Sequence, residues 1–458
     1  MALCRVNLGR GKLGVDVDED DCKAEQIRSA ANRRQRERGL PTMNKSNGEI
    51  DGSARVVLDL SRLVFAAWKR APTGIPRVEL AYAEYFIANS SKQLQFVVLD
   101  VFGRLRVIDN QLATDFVKEI AQYWRCNIAS IAAHLRVVAR ALQIHALLLL
   151  GLRGNLIGTI SQSRGPVVYI ITSQWHLDRI QMMERIKSAG NLKLVYFIHD
   201  ILPCVFPEYF PTADEKRTRR AMENAARLAD VVVANSQATA DAFRKKFDQD
   251  RLSNSIVVAP LGLSVEAPRK KKIDEPAKPY FVMVGTIEPR KNHLLILNVW
   301  RTLRAELGAD APHLVLIGGR GWENENIVDM LERSPPLQGF VEERSRISDE
   351  EMVQIVSGAR ALLMPSFAEG YGLPLADALA LGVPALCSDI PTLREIGGDV
   401  PEFLDPLDGI GWRSTIVDYL DGTSGRRQAQ LQRLIEWQPP RWDDHFSQIS
   451  HVLKTLTS

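Results

Sequence analysis

Short, continuously apolar runs separated by helical patterns constrain this chain more than anything else in it. Arg55–Leu60, Gln95–Val101, Val167–Thr172, Leu192–Ile198, Asp230–Ala234 and Ile256–Ala259 form one series. Tyr280–Val284, Leu314–Ile317, Ala361–Met364 and Ala385–Ser388 form a second. A run this short and unbroken suits a strand covered on both faces, the condition of a parallel sheet. Parallel neighbours need helical crossovers, and helical patterns over Glu79–Ala88, Glu215–Leu228 and Ala238–Phe247 supply them. Between the series, SVEAPRKKKIDEPAKP (Ser264–Pro279) interrupts the apolar pattern with proline and charge, as interdomain linkers do. The expectation is α/β: two Rossmann-like domains over 54–264 and 280–440, a linker over 265–279, and a terminal helix within 441–458.

A length of 458 residues accommodates two cores. The formal net charge of +3 is too small to point to a nucleic-acid partner. Five scattered cysteines without a CxxC indicate neither a disulfide framework nor a zinc site, in keeping with a reducing cytoplasm. Residues 1–53 are polar and dense in both charge signs, which predicts a disordered tail. Met43 lies just before the first strand and offers an alternative start.

The densest chemistry lies in SFAEGYGLPLADALALGVPALCSDIPTLREIGGD (Ser366–Asp399). Glu369 follows a buried strand, and a helix is expected from about Pro374, since proline suits a first helical turn. Gly370 and Gly372 let backbone approach a ligand, and the helix start favours a negative group. A carboxylate and free amides thus meet where open α/β sheets bind ligands.

Glu369-Gly370-Tyr371-Gly372-Leu373-Pro374 resembles the E-x7-E region of the retaining glycosyltransferases of family 4, which have the two-Rossmann GT-B fold. The resemblance implies that Glu369 contacts the donor sugar and that the amides after it, through Leu373, serve sugar and phosphates. The second carboxylate, on the nucleotide ribose, would be Asp377, one methylene shorter than the family's glutamate. VGTIEPRKN (Val284–Asn292) follows the first strand of the second series. Its Arg290 and Lys291 resemble the family's diphosphate-binding basic residues, which stabilise the charge that develops on a departing phosphate. Gly285 and Thr286 precede them where some relatives carry arginine. In Phe197-Ile198-His199-Asp200, His199 resembles the histidine that lies against the donor sugar. Asp200 either orients it or belongs to the acceptor side. Thr73-Gly74-Ile75-Pro76-Arg77 is expected as a first-domain loop, with Gly74 and Arg77 facing diphosphate and acceptor. Asn235, ending VVVANS, and Gly319, in GGRGW, resemble positions beside the donor cleft and the base. No DxD-type pair stands at a strand end, so metal-independent catalysis with no cofactor is expected.

The resemblance covers residues 55–455. It implies transfer of a sugar from a nucleotide diphosphate donor to a saccharide or polyprenyl-diphosphate-linked acceptor, with retention and without an enzymic nucleophile. The terminal helix would cross back onto the first domain. The combination GTIEPRKN, GGRGW and EGYGLP is most similar to bacterial mannosyltransferases of O-antigen and exopolysaccharide assembly, which makes GDP-mannose the expected donor. A nucleotide-sugar 2-epimerase of the same fold is one alternative, and a degenerate scaffold of a polysaccharide assembly complex is another. A phosphorylase would need a pyridoxal phosphate lysine, for which there is no signature.

Asn127–Leu152 carries Ile128, Ile131, Leu135, Val138 and Leu142 at helical spacing, with Arg136 and Arg140 roughly opposite. It is too short and interrupted to span a bilayer. Two readings stand: an ordinary helix packing that stripe on the sheet, or a basic amphipathic helix at a membrane interface, placing a cytoplasmic protein at the inner face of the plasma membrane.

Overall fold

A computed structural model describes residues 54–69, 74–90, 93–100, 102–125, 131–149, 156–163, 165–174, 176–247, 255–263 and 278–458. The N-terminal tail with Met43, the linker over 265–277, Thr73 and Ile128 lie outside the described residues.

The first half runs β1 (Arg55–Asp59), α1 (Ser61–Ala66), α2 (Gly74–Asn89), β2 (Leu94–Leu99), β3 (Leu105–Ile108), α3 (Asn110–Arg125), α4 (Ile131–Leu149) and α5 (Leu156–Ser161). It continues with β4 (Val167–Ile171), α6 (Ile180–Lys187), β5 (Leu192–Ile198), α7 (Leu202–Val205), α8 (Thr212–Leu228), β6 (Val231–Ala234), α9 (Gln237–Phe247) and β7 (Ile256–Val258). The second half runs β8 (Tyr280–Val284), α10 (His293–Leu307), β9 (His313–Ile317), α11 (Glu325–Arg333), β10 (Val341–Arg344), α12 (Asp349–Ser357), β11 (Leu362–Met364), α13 (Leu373–Ala380), β12 (Ala385–Ser388), α14 (Pro391–Gly397) and β13 (Glu402–Leu404). Helices α15 (Gly409–Leu420), α16 (Gly425–Glu436) and α17 (Trp442–Thr457) close the chain.

These strands build two sheets, ordered β3-β2-β1-β4-β5-β6-β7 and β10-β9-β8-β11-β12-β13. All pairs are parallel except β2 with β3. In the first sheet Val57 pairs Tyr169 and Ile170 pairs Val195, and every residue of β4 is buried, which is why such strands read as unbroken apolar runs. The strands that the apolar pattern did not predict, β3, β10 and β13, are end strands of their sheets. In β10 burial alternates between half-buried and exposed, so Val341-Glu342-Glu343-Arg344 needs no continuous apolar face.

Two local expectations are corrected. Gly74–Arg77 is not a loop: it forms the first turn of α2, because Pro76 fits an opening turn and needs no N–H partner there. In α4 the stripe of Leu135, Val138 and Leu142 is not the packed one. Leu135 and Leu142 are 58% and 53% exposed, whereas Ala133, Val137, Ala141, Ile144 and Leu148 are buried. Helix α4 lies on α3, with Arg140 paired to Glu119 at 3.1 Å. Small Ala133 and Ala141 let the two helices approach, and the bulkier leucines turn outward.

Helix α17 returns to the first half. Phe446 stacks on Tyr85 with ring centres 4.0 Å apart. His445 Nδ1 lies 3.1 Å from the Ala259 and Pro260 carbonyls, so it carries the proton, and Nε2 accepts from the Tyr82 hydroxyl at 2.9 Å.

Candidate functional site

Strand β8 lies between β9 and β11, so the chain order reverses at β8/β11, the position where open α/β sheets leave a crevice beyond their strand ends. The loops after these two strands are tied together. The Phe367 amide donates to the Arg290 carbonyl at 2.9 Å, Arg290 Nη1 donates to the Ala368 carbonyl at 2.6 Å, and Asn292 Nδ2 donates to the Pro365 carbonyl at 3.1 Å.

Glu369, Arg290 and Lys291 meet there. Lys291 Nζ lies 2.6 Å from Glu369 Oε1, and Arg290 Nη1 lies 2.9 Å from Oε2. Arg290 Nη2 also contacts Glu288 Oε1 at 2.5 Å. Glu288, Lys291 and Glu369 are buried. Burial by itself would raise the Glu369 carboxyl, but Arg290 and Lys291 outweigh it and hold it at about 2, so the carboxylate is ionised at neutral pH. Burial lowers the Lys291 ammonium, while Glu369 pulls it back up. Burial works against the Arg290 cation too, yet Glu369, Glu288 and Asp200 together raise it. Gly285 lies against the Lys291 stem, and the buried Arg290 Nε has no hydrogen-bond partner among the described residues.

The first half closes on this loop. A Cβ on Gly370 would lie 2.6 Å from Asp200 Cβ and 2.8 Å from the His199 carbonyl, so only glycine lets the halves come this close. The Gly370 carbonyl accepts from Ser236 Oγ at 3.0 Å and Thr239 Oγ1 at 3.1 Å. Gly372 has φ +98° and precedes α13, a conformation that disfavours any side chain. Glu395 on α14 accepts from the Gln237 and Ala238 amides at 2.6 and 3.1 Å, capping α9 from the other half. Trp322 Nε1 donates to the Tyr209 carbonyl at 2.9 Å, and Tyr209 stacks on Phe367.

His199 is buried at the end of β5, and its Nε2 lies 2.7 Å from the Thr172 carbonyl. Burial depresses its pKa to about 4, so the ring is neutral at pH 7. A carbonyl partner then requires the proton on Nε2, which leaves Nδ1 as an acceptor. Asp200 does not orient this ring: one of its oxygens accepts from the Leu202 amide at 3.1 Å. Its carboxyl is raised by burial, with Arg290 opposing. Asn235 Nδ2 donates to the His199 carbonyl at 2.8 Å, so its amide holds the histidine backbone.

Other candidates lie apart from this centre. The Tyr371 ring points away, its hydroxyl donating to the Leu261 carbonyl at 2.7 Å. Thr286 and Gly319 are exposed on the rim. Leu373 touches Gly74, so α2 begins against the start of α13. Arg77 pairs across the halves with Asp349 at 2.5 Å. Beside this pair, burial raises the Asp377 carboxyl to about 6, with Arg77 pulling the other way. Ser236, Thr239, Glu288, Asp349 and Glu395 join the sequence candidates. Glu288 stood inside the GTIEPRKN motif, whereas the role of Glu395 depends on a contact that no local pattern encodes. No cluster of metal-ligating side chains occurs among the described residues.

The family described as glycosyl transferases group 1 matches residues 265–400, which contain both loops of this centre. Over those residues the chain is similar to the group 1 glycosyl transferases. Among the transferase's relatives, the O-antigen chain mannosyltransferase B of Escherichia coli is 27% identical over 291 residues, covering 62% of this chain and 74% of that one. The O-antigen chain mannosyltransferase RfbU of Salmonella typhimurium is 26% identical over 269 residues, 55% of this chain and 70% of its own. The serotype-specific mannosyltransferase WbdA of Escherichia coli is 28% identical over 242 residues, and the transferase spans 29% of that longer protein. In fold, the transferase is similar to HepE of Anabaena in complex with UDP-glucose, at TM-score 0.58 and 14% identity, over 88% of this chain and 99% of that one. Sucrose-phosphate synthase of Thermosynechococcus elongatus gives TM-score 0.57 at 14% identity, over 88% and 99%. The architecture is thus GT-B.

Proposed function

We propose that this glycosyl transferase moves mannose from GDP-mannose, with retention, onto a saccharide or polyprenyl-diphosphate-linked acceptor in cell-surface polysaccharide assembly. The observation that carries the reading is the buried Glu369 carboxylate held between Arg290 and Lys291 at the β8/β11 crevice. An ionised carboxylate accepts hydrogen bonds from sugar hydroxyls. A guanidinium and an ammonium beside it take the charge that develops on the departing diphosphate. The same cations fill the part that a metal ion plays elsewhere, which makes the reaction metal-independent in this reading. Neutral His199 offers Nδ1 to a sugar hydroxyl from the opposite wall, and Asp377 takes the ribose. With no carboxylate assigned as nucleophile, the departing phosphate accepts the proton of the attacking hydroxyl. Mannose as the sugar rests on the mannosyltransferases among the relatives. The epimerase and scaffold alternatives find no support among those relatives.

We place the enzyme at the inner face of the plasma membrane through the outward stripe of α4, where Leu135 and Leu142 are exposed beside exposed Arg136. No helix among the described residues is long and apolar enough to cross a membrane.

The test is thermal unfolding with GDP, UDP, ADP and their sugar conjugates. A ligand that binds only the folded state raises its melting temperature by mass action. GDP-mannose should give the largest shift. A larger shift with UDP- or ADP-sugars would replace the donor, and no shift with any nucleotide would remove the transferase reading.

A further inference from the structure

The chain passes between the halves twice, and the two passages touch. It leaves the first half at residues 261–263 and returns through residues 439–441, between α16 and α17. The Leu263 amide donates to the Pro440 carbonyl at 3.3 Å. A Cβ on Gly262 would collide with the Trp442 backbone, so glycine alone allows this approach. Each half has apolar core clusters of its own. Two backbone segments side by side between such bodies are where a rotation of one against the other is centred. The Tyr371 hydroxyl meets the Leu261 carbonyl at this same place, joining the loop after β11 to the segment after β7.

A second group of contacts joins the halves away from the passage. Trp322 follows β9 and Tyr209 follows β5. Each stands two strands from the passage in its own sheet, along β11-β8-β9 and β7-β6-β5, roughly 10 Å farther out at the usual spacing of neighbouring strands. There the Trp322 indole N–H is bonded to the Tyr209 carbonyl, and the Tyr209 ring stacks on Phe367 with 5.4 Å between centres and 6° between planes. Phe210 lies 5.9 Å from the Trp322 ring. All four side chains are half-buried, so they stand at the mouth of the crevice and not in a core. The Phe367 amide is the one bonded to the Arg290 carbonyl. The first-half segment is therefore fastened onto the loops that carry Arg290 and Glu369.

A rotation about the passage displaces each contact in proportion to its distance from it. The Tyr371–Leu261 bond, at the centre, survives a small opening; the Trp322–Tyr209 bond does not. We propose that Trp322 and Tyr209 are positioning residues that latch the crevice at its outer end, and so set how often water attacks the donor sugar in place of an acceptor hydroxyl. The role in excluding water rests on the glycosyl-transfer reading above; the latch itself does not. In the wasteful reaction a water oxygen bonds to the anomeric carbon, the bond from that carbon to the diphosphate oxygen breaks, and the water proton leaves with the diphosphate. An indole N–H on a carbonyl and a ring on a ring open without exposing a buried charge, which suits a contact broken and remade at each turnover.

The test is hydrogen exchange of the full-length protein without donor, together with the rate of GDP-mannose hydrolysis without acceptor. Gln237 and Ala238 report opening. Amides of a first helical turn have no intrahelical partner, and these two are bonded to Glu395 of the other half. Trp322→Phe keeps a ring and loses the N–H, and Tyr209→Ala loses the stack. In both, the two amides should exchange about fivefold faster, the equivalent of one hydrogen bond or one ring pair, and hydrolysis should rise by a similar factor. Tyr209→Phe, which keeps ring and carbonyl, should behave as wild type. Tyr371→Phe, which loses one hydrogen bond at the passage, should leave exchange at Gln237 and Ala238 unchanged. Unchanged exchange in both Trp322→Phe and Tyr209→Ala, or an equal acceleration in Tyr371→Phe, would overturn the latch. Faster exchange with unaltered hydrolysis, in a protein that does cleave GDP-mannose, would overturn its role in excluding water. Faster exchange in a protein that neither binds nor cleaves GDP-mannose would leave the latch standing and refute the donor.

Discussion

Glu369 shows how a single residue joins stability to chemistry. Its carboxylate neutralises two buried or nearly buried cations, and removing one member of such a cluster leaves charge uncompensated. Glu369→Gln should therefore cost about 3 kcal/mol in urea unfolding and about a thousandfold in transfer. Intact stability with lost turnover would mean that the cluster is less tightly coupled than its distances indicate. Asp377 supplies the pH dependence. Its carboxyl is raised to about 6, so it is protonated below that pH and ionised above it. Ribose hydroxyls donate best to the ionised form, so GDP-mannose affinity should fall as pH drops from 7.5 to 5, and Asp377→Asn should flatten that profile. A pH profile that Asp377→Asn leaves unchanged would assign the titration elsewhere. Both positions were legible in the sequence because EGYGLPLAD is a local motif. What it concealed was their surroundings, above all the Arg77–Asp349 pair beside Asp377, whose members are distant in sequence.

Helices make a different lesson. Regular apolar spacing in α4 identified a helix but not its packed face, since Leu135 and Leu142 and the buried Val137 and Ala141 both repeat at helical intervals. Size decided between them: alanines at the contact allow α3 to come close. The element predicts its own test. Val137→Asp should destabilise the fold by about 3 kcal/mol, as an unpaired buried charge would. The double change Leu135→Asp and Leu142→Asp should alter stability by no more than about 0.5 kcal/mol while abolishing sedimentation with anionic phospholipid vesicles. Unchanged vesicle binding would end the membrane role of α4. Helix α2 has a comparable history. Its Gly74–Pro76 start reads as a loop because glycine and proline punctuate loops, and both also open helices.

At the scale of the whole molecule, the two halves are held by a few groups that cross the crevice. Glu395 caps α9, Ser236 and Thr239 hold the Gly370 carbonyl, and Arg77 reaches Asp349. A cap of this kind is worth about 1 kcal/mol, enough to move a closed–open equilibrium about fivefold. Glu395→Ala should therefore enlarge the radius of gyration in small-angle scattering and raise the donor KM, with little effect on melting of either half. Scattering identical to wild type would mean that the other crossing contacts suffice.

The two β/α series and the donor-side motifs were determined by the sequence itself. Buried parallel strands and phosphate-facing loops impose local residue patterns that survive without knowledge of neighbours. Which face of α4 is packed, that the Thr172 carbonyl and not Asp200 orients His199, and that Glu395, Arg77 and Gly370 meet partners in the other half were decided only by tertiary structure. Each depends on residues far apart in sequence, between which no periodicity or motif carries information.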